Sequence, residues 1–137
     1  MPTLTINTGD VTYQILNEVG EEIGVIRFNP ADVDIVKRFE QMQENLKALT
    51  FPKKFTVESL YEFSDKIKEQ FDFLLNRKVS GEIFKVCNPL TIMADGGYFY
   101  AGVMDSITEI ISTEMKKRRE QSAKKIDDAV AQLTQDE

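Results

Sequence analysis

The sequence has no histidine and no tryptophan, and Cys87 is its only cysteine. Without histidine the chain lacks the commonest zinc ligand and the usual general base of enzymes, and a single cysteine cannot form a disulfide within the chain. No apolar run approaches the ~20 residues that a transmembrane helix needs, and residues 1–17 lack the basic start and apolar stretch of a signal peptide. We therefore expect a protein that is neither membrane-inserted nor secreted, without most familiar catalytic sites.

Length and charge indicate one acidic domain. The 137 residues, 42% of them hydrophobic, suit a single globular domain. The 17 basic and 23 acidic residues give a formal charge of −6, which argues against general nucleic-acid binding and against adhesion to anionic membranes. We predict a soluble cytosolic protein, not an enzyme, that needs no metal and no cofactor.

The N-terminal region, residues 3–28, is predicted to form an antiparallel β meander. Apolar and polar residues alternate in Leu4–Asn7 and again in Val11–Ile15, as in strands with one buried face. A third strand, Ile23–Phe28, follows a turn, and Gly24 either weakens it or marks a bulge. One face of the meander is expected to cover the helices that follow.

Two amphipathic helices are predicted next. For the first, Asn29 is a favourable N-cap, Pro30 suits the first helical position, and Asp32 places a carboxylate near the free amides. For the second, Thr56 is the expected N-cap, and a broad apolar face places Thr56–Leu75 at the centre of a small bundle. The positions expected to be buried are Val33, Val36, Phe39, Met42, Leu46 and Leu49, then Val57, Leu60, Phe63, Ile67, Phe71 and Leu74.

A short helix over Ser80–Cys87, stopped by Asn88-Pro89, precedes a tight turn at Asp95-Gly96-Gly97 and a long helical pattern over Tyr98–Leu133. A continuous helix of that length would measure roughly 54 Å. A compact chain of this size is roughly 37 Å across. The last helix must therefore break, project into solvent or lie on another chain.

The pattern of the last helix changes at Met115. A strong apolar stripe ends there, and charged residues dominate beyond it, with only Ala123, Ile126, Val130 and Leu133 continuing at helical spacing. We predict a globular domain over residues 1–115 and a charged helical extension over residues 116–137. These four residues form a narrow apolar seam. Such a seam is typical of a helix that packs against a partner helix, or of a frayed amphipathic tail.

Four other features could carry chemistry, and for each a structural role is the better interpretation. Asp32 and Asp34 point to different helix faces, and helix capping accounts for Asp32. Asp95-Gly96-Gly97 lacks the spacing and the lysine of a phosphate-binding loop, so a plain turn is favoured. Cys87 follows apolar residues and is predicted to be a packing residue. Acidic residues surround Lys116–Arg119, which favours a solvated face over nucleic-acid binding.

The aromatic residues Tyr98, Phe99 and Tyr100 follow the glycine turn. Consecutive helical residues point in different directions, so at least one ring is expected to miss the core of its own domain and to contact a partner. Packing of all three rings under the preceding loop is the alternative. The candidate partner-binding residues are Tyr98, Tyr100, Ile126, Val130 and Leu133.

The motifs Glu69–Leu74 (EQFDFL), Gly81–Phe84 and Asn88–Leu90, followed by a charged exit helix, resemble those of the small tail assembly chaperones of long-tailed, siphovirus-type bacteriophages and prophages of Gram-positive bacteria. The resemblance extends loosely from Phe28 to about Arg119. It implies a mainly α protein that coats the long, hydrophobic, helical tape measure protein, keeps it soluble and gives way as the tail tube polymerises around it.

The same resemblance implies a homo-oligomer in the host cell cytoplasm that is absent from the finished virion. A longer form made by translational frameshifting would recruit the tail tube protein. No nucleic acid or membrane partner is expected. Two other classes stay open: a structural tail or connector component retained in the virion, and an enzyme based on carboxylates, which would need acids that converge in a cleft.

Overall fold

The computed structural model describes residues 1–135 and has a mainly α fold with an N-terminal two-stranded sheet and a long C-terminal helix, which confirms the predicted fold class. Asp136 and Glu137, the end of the predicted extension, lie outside the described residues. In chain order the elements are β1 (Val11–Leu16), β2 (Glu22–Phe28), α1 (Asp34–Ala48), α2 (Val57–Leu75), α3 (Ser80–Ile83) and α4 (Phe99–Gln135).

The predicted three-stranded meander is wrong in its first strand. Only β1 and β2 pair, in antiparallel register from Val11 opposite Phe28, and residues 3–7 form no strand. The reason lies in the segment that joins them to β1. Asn29 donates its Nδ2 to the Thr8 carbonyl at 2.8 Å, which holds the chain at the end of β2 rather than beside β1.

The sheet packs closely on α3 at Gly24. A Cβ added to Gly24 would lie 2.7 Å from the carbonyl oxygen of Glu82, so only glycine permits this approach of the two backbones. The register shifts between Ile15 and Leu16, which places the extra residue Ile23 in β2. The bulge predicted near Gly24 is therefore present, and the glycine itself serves helix packing.

Helix α1 begins later than predicted. Asn29 is not its N-cap: its Oδ1 accepts from the Ala31 amide in a separate turn, while Asp32 Oδ1 accepts from the amide of Asp34. The buried stripe accordingly starts at Ile35 and includes Met42. It continues through the half-buried Phe39, Leu46 and Leu49, whose spacing of three and four residues turns one face toward α2. Val33 and Val36, predicted to be buried, are exposed.

Helix α2 is the centre of the bundle, as expected. Thr56 and Ser59 form a reciprocal capping box at its start. Phe71 and Leu74 are fully buried, and Asn76 ends the helix in the left-handed conformation at φ 52°. Val57, predicted to be buried, is exposed in the first turn.

Helix α3 is shorter than the predicted Ser80–Cys87 helix and ends at Ile83. Asp72 of α2 fixes its start: Oδ1 accepts from the amides of Val79 and Ser80, each at 2.7 Å, and Oδ2 accepts from the Ser80 hydroxyl at 2.8 Å. The buried Ser64 hydroxyl accepts from Asn88 Nδ2 at 3.0 Å. These bonds tie the irregular segment before α4 to α2.

Helix α4 is continuous over 37 residues, which corresponds to about 55 Å. Ile107 is buried against the core, and Arg118 is the last residue of the helix that is partly buried. From residue 119 to residue 134 every side chain is exposed. Within residues 1–135, no helix combines the length and apolar character needed to cross a membrane.

Candidate partner-binding surfaces

Five aromatic side chains meet beside the start of α4, and we call this group the aromatic cluster: Phe51, Phe55, Phe63, Tyr98 and Tyr100. The Phe51 ring lies at its centre. Its centroid is 4.8 Å from Phe63, 5.8 Å from Phe55 and 6.1 Å from Tyr98. Tyr98 and Tyr100 stack on each other at 5.8 Å with an interplanar angle of 15°. These distances are typical of favourable ring pairs.

Local sequence explains how the cluster forms. Phe51 and Phe55 lie in the connection between α1 and α2, where Pro52 prevents helix continuation. Tyr98 is brought beside them by a turn in which Gly96, at φ 87°, allows the chain to reverse and Ile92 to bridge to Tyr98. The sequence predicted this turn correctly.

The cluster presents apolar surface to solvent. The Phe55 side chain is 67% exposed, and Ile92, the bridge partner of Tyr98, is also largely exposed. Contiguous exposed aromatic surface of this kind is typical of protein interaction sites, since large rings contribute much contact area at a low cost in conformational entropy. The cluster can therefore bind apolar side chains of a partner.

The three consecutive aromatic residues divide between core and surface. Phe99 packs edge-on against Phe84 at 5.9 Å, and Phe84 in turn packs on Phe71 at 5.2 Å. Tyr100 also contacts the core, whereas Tyr98 lies outside the core cluster. Tyr98 is half-buried against Phe51 and Tyr100, and its contact with a partner stays a prediction.

The apolar seam of the extension is a second surface. Ile126, Val130 and Leu133 are 62%, 56% and 69% exposed, respectively. They lie on the part of α4 that extends beyond the body. Ile126 is 26 positions beyond Tyr100, or about 39 Å along the helix. The five candidate residues therefore form two separate surfaces, with Tyr98 and Tyr100 on one and the seam on the other.

A third surface, which the sequence did not predict, is an apolar groove between β1 and the first half of α4. This β1–α4 groove has a volume of about 640 Å³. Its lining includes Ile15 and Leu16 of β1, Ile26 of β2, Val103, Ile107 and Ile110 of α4, and Val86, Cys87 and Met93 of the connecting segment. The strong apolar stripe on the first half of α4, which lines part of the groove, is the sequence signal that could have indicated it.

Ionisable groups near these surfaces have structural partners. Burial raises the pKa of the Tyr13 hydroxyl in the groove, the negative charge of Glu114 adds to this, and Arg118 partly offsets it. Arg118 was expected on a solvated face, but its guanidinium turns inward and donates to Asn29 Oδ1 and to the Gly9 carbonyl, each at 3.1 Å. The predicted solvated face is thus wrong for Arg118.

The other residues that could carry chemistry, Asp32, Asp34 and Cys87, either make structural contacts or have no neighbouring reactive group in the described residues. Asp32 precedes the N-cap position of α1, which is Val33; its side chain accepts from the Asp34 amide and forms an ion pair with Arg38 at 2.8 Å, while Asp34 is exposed. Cys87 is half-buried in the groove, with its Sγ 3.8 Å from the Asn88 carbonyl oxygen. Among residues 1–135 no group of three or more histidine, cysteine or acidic residues could hold a metal ion.

In comparisons with known proteins, no protein-family profile matches the chain, and no curated protein and no solved structure is significantly similar to it. The functional interpretation therefore rests on the three surfaces and on the sequence motifs. The aromatic cluster includes two of the five predicted positions, Tyr98 and Tyr100, in direct contact with each other and with Phe51.

Proposed function

We propose that this protein is a tail assembly chaperone of a long-tailed bacteriophage or prophage of Gram-positive bacteria. In this role it is not an enzyme: it binds the tape measure protein in the host cell cytoplasm, keeps it soluble and helps the tail tube assemble around it. It leaves before the virion is complete. The motif resemblance supplies the family, and the exposed aromatic cluster supplies the surface that such a role needs.

The aromatic cluster is the single observation that carries the proposal. A chaperone of a long amphipathic helix must cover apolar side chains that recur along its client, which calls for an open apolar surface rather than an enclosed pocket. Phe55 is open to solvent on such a surface, and both it and the half-buried Tyr98 pack against Phe51, which in turn packs on Phe63. Aromatic anchors of this type contribute most to binding energy at protein interfaces.

The C-terminal extension supports multivalent binding. Ile126, Val130 and Leu133 offer a second apolar surface about 40 Å or more from the cluster along α4. When one surface of a homo-oligomer has bound a long client, the remaining surfaces are held close to it. Each further contact is then effectively intramolecular, which raises the overall affinity for the client. We propose that a longer frameshifted form carries a further domain that recruits the tail tube protein.

Coexpression with the tape measure protein of the same gene cluster tests the proposal. We expect the client to be soluble and to co-purify with this chain, and to aggregate without it. Unchanged client solubility with no complex would overturn the proposal. Mass spectrometry of purified virions separates the structural alternative, because abundant copies of this chain in the particle would favour a retained tail or connector component.

A further inference from the structure

The segment before β1 has the pattern of a strand but no partner. We call residues Thr3–Asn7 the N-terminal arm. Leu4 and Ile6 alternate with polar residues and are 85% and 67% exposed. Two apolar side chains on one face of an extended segment, both in water, are typical of a strand that pairs elsewhere.

The sheet has an unpaired edge that could accept such a strand. Among residues 1–135, β1 pairs only with β2, and the backbone of α3 approaches β2 at Gly24. The other edge of β1 faces the β1–α4 groove, which is lined by four consecutive residues of the strand, Tyr13–Leu16, and by Asn17 and Glu18 of the turn that follows. Because neighbouring residues of a strand point to opposite faces, a lining of consecutive residues means that the backbone edge itself is open to the groove.

The chemistry of the groove favours the arm over the extension. The arm carries no charged side chain. Among the lining residues that the structure describes there is no lysine or arginine, and Glu18 is the one carboxylate. The seam of the extension is flanked by Lys124, Lys125 and Asp127, whose charges would lose water on entering an apolar groove. An uncharged strand with two aliphatic side chains meets no such penalty.

The arm does not lie on its own β1 edge. Asn29 and Arg118 hold the carbonyls of Thr8 and Gly9, and Leu4 and Ile6 are not among the residues that line the groove of their own chain. The open edge and the free strand are thus present in each copy without meeting there.

We propose that the arm of one copy adds to the β1 edge of a second copy as a third strand, with Leu4 and Ile6 inserted into the β1–α4 groove. Backbone hydrogen bonds along the edge give the affinity, and the two aliphatic side chains give the register. If two copies exchange arms with each other, the result is a closed dimer. If each copy gives its arm to the next, the result is an open chain of copies. The inference concerns self-association and does not depend on the proposed function.

Amide hydrogen exchange of the full chain at several protein concentrations tests the proposal. We expect the arm amides and the β1 edge amides to gain protection together as the concentration rises, by at least about tenfold between a monomeric and an associated sample. Protection that is independent of concentration would mean that the arm folds onto its own chain. An arm that is unprotected at every concentration would equally overturn the proposal.

Two matched double variants test the register by sedimentation equilibrium. Leu4→Asp with Ile6→Asp places two carboxylates in the groove and should weaken self-association at least about 100-fold. Thr3→Asp with Thr5→Asp adds the same charge to the opposite face and should change it by less than about fivefold. Equal effects of the two pairs, or no effect of the first pair, would contradict strand insertion. Neither pair touches the core, so both variants should fold.

Discussion

Arg118 of α4 donates its Nη2 to the carbonyl of Gly9 at 3.1 Å, which joins two residues 109 positions apart. The same guanidinium donates to Asn29 Oδ1 and forms an ion pair with Glu114 at 3.7 Å. It is the point at which the last helix leaves the body, because every described side chain beyond it is exposed. One side chain therefore links the N-terminal segment, the turn after β2 and the long helix.

Arg118→Ala should lower the free energy of unfolding by about 1–2 kcal/mol. The substitution removes two charge-assisted hydrogen bonds that are partly shielded from water. Arg119→Ala is the matched control, because Arg119 is exposed and its loss should cost less than about 0.5 kcal/mol. Urea denaturation followed by circular dichroism measures both. Equal stability of the two variants would show that the Arg118 contacts contribute nothing.

Truncation locates the boundary of the folded body more finely. A chain that ends at Arg119 should keep the unfolding free energy of the full chain within about 0.5 kcal/mol, since it loses only exposed helix. A chain that ends at Met115, the boundary predicted from the sequence, also loses Arg118 and should be less stable by about 1–2 kcal/mol. If the chain that ends at Arg119 is unfolded, the extension is part of the folded body.

The three hydrogen bonds accepted by Asp72 join α2 to the start of α3. Asp72→Asn replaces a carboxylate that accepts from two amides and a hydroxyl, and should cost about 2–3 kcal/mol. Glu69→Gln, on the exposed side of α2, should change stability by less than about 0.5 kcal/mol. Thermal unfolding of the two variants provides the comparison. A shift in midpoint of similar size in both would contradict the role assigned to Asp72.

The contribution of Asp32 should depend on pH. Its hydrogen bond with Arg38 holds the pKa of the Asp32 carboxyl below its usual value. A carboxyl whose pKa is lower in the folded than in the unfolded state adds stability above the unfolded pKa of about 3.9, and this is lost as the pH falls through the folded value. Asp32→Asn should therefore be about 1 kcal/mol less stable than the wild type at pH 7, and the difference should shrink as the pH falls below the unfolded pKa of about 3.9.

Glu40→Gln is the control for this titration, since Glu40 is exposed in the middle of α1. Its effect on stability should be small and nearly constant over the same pH range. A constant difference between Asp32→Asn and the wild type from pH 7 to pH 2.5 would contradict the assigned ion pair.

Most of the helical fold could be predicted because its signals are local. The capping residue Thr56, the end of the second helix at Leu75 and the glycine turn before α4 depend on neighbouring residues. The errors lie where distant contacts decide. Leu4–Asn7 has the alternation of a strand but does not pair with β1. Asn29 and Arg118 instead bind the carbonyls of Thr8 and Gly9, which directly follow it. Helix α1 starts at Asp34 because Asn29 takes part in a turn of its own.

The candidate surfaces were predicted only in part, for a similar reason. The exposure of Ile126, Val130 and Leu133 follows from helical periodicity, which the sequence contains. The participation of Phe51 and Phe55 in the aromatic cluster does not, because it depends on where the α1–α2 connection lies relative to the start of α4. The β1–α4 groove likewise depends on the relative position of two elements that are distant in sequence.

The most direct test of the central claim is the affinity of the purified chain for a soluble segment of the tape measure protein, measured by calorimetry. Phe55→Ala removes the most exposed phenylalanine of the aromatic cluster and should weaken binding at least about tenfold while leaving the fold intact. Tyr61→Ala, an exposed aromatic of α2 outside the cluster, should weaken it less than about threefold. Binding of Phe55→Ala as tight as that of the wild type would contradict the assignment of the cluster as the client-binding surface.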